Sequence, residues 1–165
     1  MEQSFTYPTT LGKDELYKAF LADYTLYIEG ETDLISTFAN TSAALREAFG
    51  FFWVGFYIVH DNEWLHLGPF QGTAACTRIR RGRGVCGTAW DNDHTLVVSD
   101  VELFPGHIAC SSASRSEVVI PVHDKQTGAI IAVLDIDSTS LNAFPDELVE
   151  MLEAVVQALQ SLTFC

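Results

Sequence analysis

Ser116-Glu117-Val118-Val119-Ile120-Pro121-Val122-His123-Asp124-Lys125-Gln126-Thr127-Gly128-Ala129-Ile130-Ile131-Ala132-Val133-Leu134-Asp135-Ile136-Asp137 reads as strand, turn and strand. Ser116 to His123 and Ala129 to Asp137 are rich in β-branched residues. Lys125-Gln126-Thr127-Gly128 between them has the chemistry of a hairpin turn. So short a link joins antiparallel neighbours. A second hairpin lies upstream. Residues 51–59, Phe-Phe-Trp-Val-Gly-Phe-Tyr-Ile-Val, form a strand, His60-Asp61-Asn62 a turn, and Glu63 to Leu67 the return strand. Period-two geometry puts Trp53, Gly55 and Tyr57 on one face and Phe52, Val54 and Phe56 on the other. Both faces are apolar, so this strand is expected at the centre of a sheet covered on both sides.

Helices flank the hairpins. Leu16, Phe20, Tyr24 and Tyr27 recur at helical spacing from Lys13 to Ile28, after an irregular arm of residues 1–10. Gly30 ends that helix. Thr32 or Asp33 caps a second, with Ile35, Phe38, Leu45 and Phe49 on one face and Gly50 closing it. Residues 68–84 are glycine-rich, Val85 to Asn92 is a short helix, Thr95 to Val98 a short strand, and Ser99 to Ser114 a long loop. Pro145, with Asp146 and Glu147 in the first turn, opens a final helix to about Leu162. Its stripe is Leu148, Leu152, Val155, Leu159 and Leu162. This order predicts one α+β domain over residues 1–165, with a central antiparallel sheet and N- and C-terminal helices packed on it.

The chain has 165 residues, 48% of them hydrophobic, and a net charge of −13. That charge argues against a nucleic-acid partner, because phosphate backbones are met by lysine and arginine. No stretch approaches the roughly 18 to 20 apolar residues of a membrane span, and no signal peptide is visible. A cytoplasmic protein is expected, whose four cysteines read as redox, metal-binding or buried thiols before a structural disulfide framework.

Asp135 and Asp137 share a strand face. If Glu117 on the partner strand lies opposite either one, all three carboxylates share that face with Val119, Pro121, Ile131 and Val133. Crowded acids beside apolar side chains repel one another and call for a cation: a metal, an ammonium group or a proton. The alternative is that the acids lie at frayed, solvated strand ends.

Cys110 sits in the long loop, with His107 three residues before it and Arg115 five after. Cys76, Cys86 and Cys110 lack the paired spacing of a zinc knuckle or a thioredoxin-like site. With His107 they offer four zinc ligands. A redox set fits the loop placement better: one thiolate attacks and a second resolves the product as a disulfide. Cys86 stands at the start of the short helix, where the dipole would lower its pKa. Cys165 is terminal and reads as incidental. Trp53 and Tyr57 are either pocket walls or core packing.

Taken together, Gly68-Pro69-Phe70-Gln71-Gly72, Ala75-Cys76, Gly82-Arg83-Gly84-Val85-Cys86-Gly87-Thr88-Ala89, Gly106-His107-Ile108-Ala109-Cys110, Ser116-Glu117-Val118-Val119-Ile120-Pro121 and Leu134-Asp135-Ile136-Asp137-Ser138 resemble the free methionine-(R)-sulfoxide reductases. These are single-GAF-domain enzymes, and the resemblance spans about Leu16 to Leu162. One departure is Ser111, where the family often has an aspartate. The resemblance implies a GAF fold whose loops enclose a ligand pocket, and reduction of free L-methionine (R)-sulfoxide with thioredoxin as reductant. No cofactor or metal is implied, and a homodimer is. Cys110 matches the catalytic cysteine, Cys76 the principal resolving cysteine and Cys86 the third. Glu117, Asp135 and Asp137 match substrate-binding carboxylates, with Trp53 and Tyr57 around the ligand. His107 and Arg115 become loop-shaping residues. A reading from another class is a non-catalytic GAF sensor of a small ligand, which an acidic pocket suits poorly if that ligand is a phosphate.

Overall fold

The computed structural model describes residues 3–108 and 110–165. Met1 and Glu2 of the expected arm, and Ala109 of the Gly106–Cys110 motif, lie outside the described residues. The elements run α1 (Lys13–Ile28), α2 (Leu34–Phe49), β1 (Trp53–Val59), β2 (Trp64–Gln71), β3 (Arg78–Arg80), α3 (Gly84–Asn92) and β4 (Leu96–Val98). A short 3-10 turn (Val101–Leu103), β5 (Ser116–His123), β6 (Ile130–Ser138) and α4 (Asp146–Gln160) complete them. The strands form one sheet in the order β3-β2-β1-β6-β5-β4, antiparallel throughout.

The strand read as buried on both faces, β1, is central, paired with β6 in the middle of the sheet. On one side of the sheet, Val54, Phe56, Leu134 and Ile136 meet Phe20 and Tyr24 of α1, Phe38 and Leu45 of α2, and the α4 stripe from Leu148 to Leu162. α1 lies mainly against α4 and only lightly on α2, so the first two helices do not make a tight hairpin. On the other side Trp53, Tyr57, Val119 and Val133 meet Val85, Ala89 and Trp90 of α3. That second, smaller layer is where the side chains expected at the site collect.

Local chemistry accounts for the helix ends. The Asp33 carboxylate accepts the Ser36 N–H at 2.6 Å, which satisfies one orphan donor at the start of α2. Gly50 closes α2 in the left-handed conformation that favours glycine, with φ of 66°. α4 starts after Pro145, whose missing N–H costs nothing there.

Several expectations need correction. The return strand of the first hairpin runs on to Gln71, and the glycine-rich stretch contains β3, which pairs with Trp64, Leu65 and His66. Ile35 is exposed, while Thr37, Thr41 and Ser42 fill the buried face of α2. Phe52 precedes β1 and packs on the Trp53 side. The N-terminal arm is irregular, yet Phe5 is buried against α1 and the adjoining core. Ile131 leaves the carboxylate face: a register irregularity near Val122 and His123 turns Ile131 toward the α1–α4 layer and Ile130 toward the other.

Candidate active site

The β5–β6 register settles how the acids sit. Glu117 pairs with Asp137 and Val119 with Asp135, and β1 adds Trp53 opposite Asp137 and Gly55 opposite Asp135. All three carboxylates therefore share the α3 side of the sheet, and none lies at a frayed end. Glu117 and Asp135 are each only 6% exposed.

Burial dominates their protonation. It pushes Glu117 up to about 8, with the nearby Asp137 charge adding to the shift and hydrogen bonds to Asp135 and Cys86 opposing it. Burial lifts Asp135 well above the usual carboxylate range, helped by the charges of Asp137 and Glu117. Asp137 rises to about 6, again through burial, and a hydrogen bond with the Ser114 side chain pulls it back. At neutral pH Asp137 is the most ionised of the three, while the buried pair Glu117–Asp135 retains a proton.

A disulfide joins Cys76 and Cys110, whose Cα atoms are 5.3 Å apart. The bond ties the loop after β2 to the long loop before β5. The two aromatic residues of β1 hold the first of these loops. Trp53 Nε1 donates to the Thr73 carbonyl at 3.0 Å, and the Tyr57 hydroxyl donates to the Cys76 carbonyl at 3.1 Å. Trp53 stacks on Phe70 with ring centres 5.2 Å apart. Both residues wall the cavity, so the two readings of them, pocket and packing, hold together.

Cys86 is free, buried, and reached from α3. Its thiol lies 3.8 Å from Glu117 Oε1. Gly87 lets α3 come this close to β3, since a Cβ there would lie 2.3 Å from the Arg80 carbonyl oxygen. The expected dipole effect on Cys86 is overturned: burial, then the neighbouring carboxylates, push the thiol well above its ordinary range. Desolvation and three acids outweigh the N-terminal turn of a nine-residue helix. The zinc reading that used Cys76, Cys86, Cys110 and His107 also fails in this structure, because two of its thiols are joined to each other.

These groups line one cavity, together with Thr73, Arg83, Ile108, Ser111 and Ser114. Every cysteine, carboxylate and aromatic residue expected at the site from the sequence borders it, save Cys76, which reaches it through its bond to Cys110. His107 lines the cavity, and burial lowers its pKa. Arg115 does not; its backbone clips the loop, accepting from Val101 N–H and donating to the Ser138 carbonyl. Ser114 was missed. Its only signal is its place just before the strand that carries Glu117.

Residues 33–160 match the GAF domain family. The chain is 56% identical over 138 residues to GAF domain-containing protein A of Dictyostelium discoideum, covering 84% of this chain and 85% of that one. It is 45% identical over 153 residues to the free methionine-R-sulfoxide reductase of Escherichia coli, covering 92% and 91%. The X-ray structure of free methionine-R-sulfoxide reductase from Neisseria meningitidis, in complex with its substrate, superposes with a TM-score of 0.87. It is 46% identical and covers 94% of this chain and 92% of that one. The chain belongs to the free methionine-R-sulfoxide reductases.

Its fold is accordingly the GAF fold. As a free methionine-R-sulfoxide reductase it departs from the expected motif at Ser111, whose hydroxyl accepts from the Ala113 N–H at 3.2 Å. That hydroxyl adds no charge beside the disulfide, so the acidity of the cavity comes from the sheet. No helix among the described residues is long and apolar enough to cross a membrane.

Proposed function

We propose that the chain reduces free L-methionine (R)-sulfoxide to L-methionine, with Cys110 as nucleophile and Cys76 as resolving thiol. The reading rests on one juxtaposition: the Cys76–Cys110 disulfide borders a cavity whose other wall is Glu117, Asp135 and Asp137. A free amino acid brings an ammonium group to those acids. A methionine within a polypeptide has an amide there, which would leave buried carboxylates unpaired at a cost of roughly 1 to 3 kcal/mol or more.

In the first step the Cys110 thiolate attacks the sulfoxide sulfur. The buried Glu117–Asp135 pair supplies a proton to the departing oxygen, while Asp137 meets the ammonium charge. Methionine leaves and Cys110 carries the oxygen as a sulfenic acid. The Cys76 thiol then attacks Cys110 sulfur, forming the disulfide and releasing water. The sum is sulfoxide plus two thiols giving thioether, disulfide and water. Cys86 remains a thiol throughout.

Thioredoxin as the reductant of the disulfide, a homodimeric assembly, a cytoplasmic setting and residues 1–165 acting as one domain belong to the same proposal. The test is methionine production from the separated epimers of free methionine sulfoxide with thioredoxin, thioredoxin reductase and NADPH. Turnover of the R epimer alone is expected. Ligand binding with no turnover would favour the sensor reading instead.

A further inference from the structure

We propose that Cys86, Glu117 and Asp135 form an inhibitory zinc site at the base of the cavity. The three residues come from α3, β5 and β6, and one donor atom from each lies within 4.8 Å of the others. The thiol-to-carboxylate distance is 3.8 Å. Zinc bound tetrahedrally to a thiolate at about 2.3 Å and a carboxylate at about 2.0 Å would set that separation at about 3.5 Å, so small rotations suffice.

A second observation points to a ligand. Asp135 Oδ1 is buried and has no hydrogen-bond partner among the described residues. A buried carboxylate oxygen left empty is costly, and a cation would satisfy it. No ion pair among the described residues reaches the cluster. The donors also select the metal. One sulfur and two carboxylate oxygens suit zinc, whereas calcium and magnesium take six or more oxygens. All three donor residues line the same cavity.

Binding exchanges protons for metal. The Cys86 thiol proton and the proton held by the Glu117–Asp135 pair leave to solvent as the thiolate and two carboxylates take up the ion, so affinity rises with pH. Zinc would then occupy the acids that the substrate's ammonium and sulfoxide groups require. This inhibition rests on the reading given under Proposed function; the metal site itself does not.

The metal site is tested on the full chain carrying Cys165→Ser, with its Cys76–Cys110 disulfide formed, so that Cys86 is the free thiol. Cobalt(II) is titrated as a spectroscopic stand-in for zinc. The expected result is one cobalt per chain, with a thiolate-to-cobalt charge-transfer band and the intense visible absorption of a four-coordinate ion, bleached by equimolar zinc. Cys86→Ala should erase the band. Asp135→Asn should weaken zinc binding by at least about tenfold, since losing even an outer-sphere partner costs roughly 10- to 100-fold. Circular dichroism checks that both variants are folded. Absence of the band, or its persistence in folded Cys86→Ala, overturns the site. Inhibition is read separately in the thioredoxin-coupled assay, free of dithiothreitol because that dithiol binds zinc. Zinc should raise the apparent KM for free methionine sulfoxide, and a chelator should restore it; unchanged kinetics at saturating zinc overturns the inhibition. A metal-free preparation with no turnover would count against the proposed function and leave the cobalt result standing.

Discussion

Glu117 lies directly across the β5–β6 ladder from Asp137. Like charges in that relation weaken a sheet, and here the pair is further crowded by Asp135 in a site that burial makes poor in water. The ligand-free protein therefore gives up stability at its site, and a cationic ligand recovers it.

Asp135→Asn should accordingly raise stability while lowering activity. The amide keeps the shape, removes a buried acid and relieves its neighbours. A gain of about 1 kcal/mol in ligand-free unfolding free energy is expected, with kcat/KM reduced by roughly two orders of magnitude or more. Urea unfolding and steady-state kinetics on the same preparation check both signs.

The pH dependence of stability follows from the same groups. The folded values of Asp137 and Glu117, about 6 and about 8, lie above the ordinary 3.8 and 4.5. Such groups stabilise the fold at low pH, and the contribution is lost as pH rises through the folded values. Stability of the ligand-free disulfide form should decline between about pH 4 and pH 8, at up to roughly 1.4 kcal/mol per pH unit for each proton released. Asp33, Glu47, Asp61 and Asp124 are held below the usual range by hydrogen bonds and act in the opposite sense, losing stability as pH falls. An optimum on the acid side of neutrality results. Glu117→Gln should flatten the limb near pH 8, as read from urea midpoints across a pH series.

Much of this is legible in the amino-acid sequence alone. The stretch from Ser116 to Asp137 carried its hairpin and put Asp135 and Asp137 on one face, because side chains alternate along a strand; whether Glu117 joined them waited on the register, which pairs it with Asp137. α1 matched its expected span because aromatic residues recur at helical spacing. β3 was not legible: three residues, Arg78-Ile79-Arg80, among glycines and arginines give no alternation to read. The extension of β2 through Gly68 and Pro69 was hidden by two strand breakers. Proline is tolerated there because β3 pairs only with Trp64 to His66, leaving Pro69 beyond its end. Pro121 in β5 escapes the same way, beyond the end of β4 at Leu96. The pairing of Cys76 with Cys110 rests on contacts 34 residues apart in sequence. Spacing alone left a zinc set and a redox set both open. The sign of the Cys86 shift depended on burial, which no local pattern reports.

Tyr57→Phe should separate the two chemical steps. The lost hydrogen bond to the Cys76 carbonyl frees the loop that carries Cys76, the proposed resolving thiol. Stability should fall by about 1 kcal/mol, and disulfide formation should slow more than methionine release. Rapid-quench single turnovers, with methionine and free thiols counted separately, read the two rates.

Gly87→Ala tests the seating of α3. Its Cβ would meet the Arg80 carbonyl oxygen, a backbone atom that cannot swing aside. A loss of roughly 1 to 3 kcal/mol is expected from this overpacking. The shift of α3 should also move Cys86 away from Glu117, detectable as faster alkylation of the Cys86 thiol in the disulfide form.

The most direct measurement is a single turnover without external reductant. Fully reduced chain is mixed with excess free L-methionine (R)-sulfoxide, and methionine, free thiols and disulfide-linked peptides are quantified. The expected result is one methionine formed and two thiols lost per chain, with a Cys76–Cys110 linked peptide. Cys110→Ser should give no methionine, and Cys76→Ser should give one methionine and leave Cys110 as a trapped sulfenic acid. Methionine formed at the wild-type rate by Cys110→Ser, or none formed by the wild-type chain, would contradict the account.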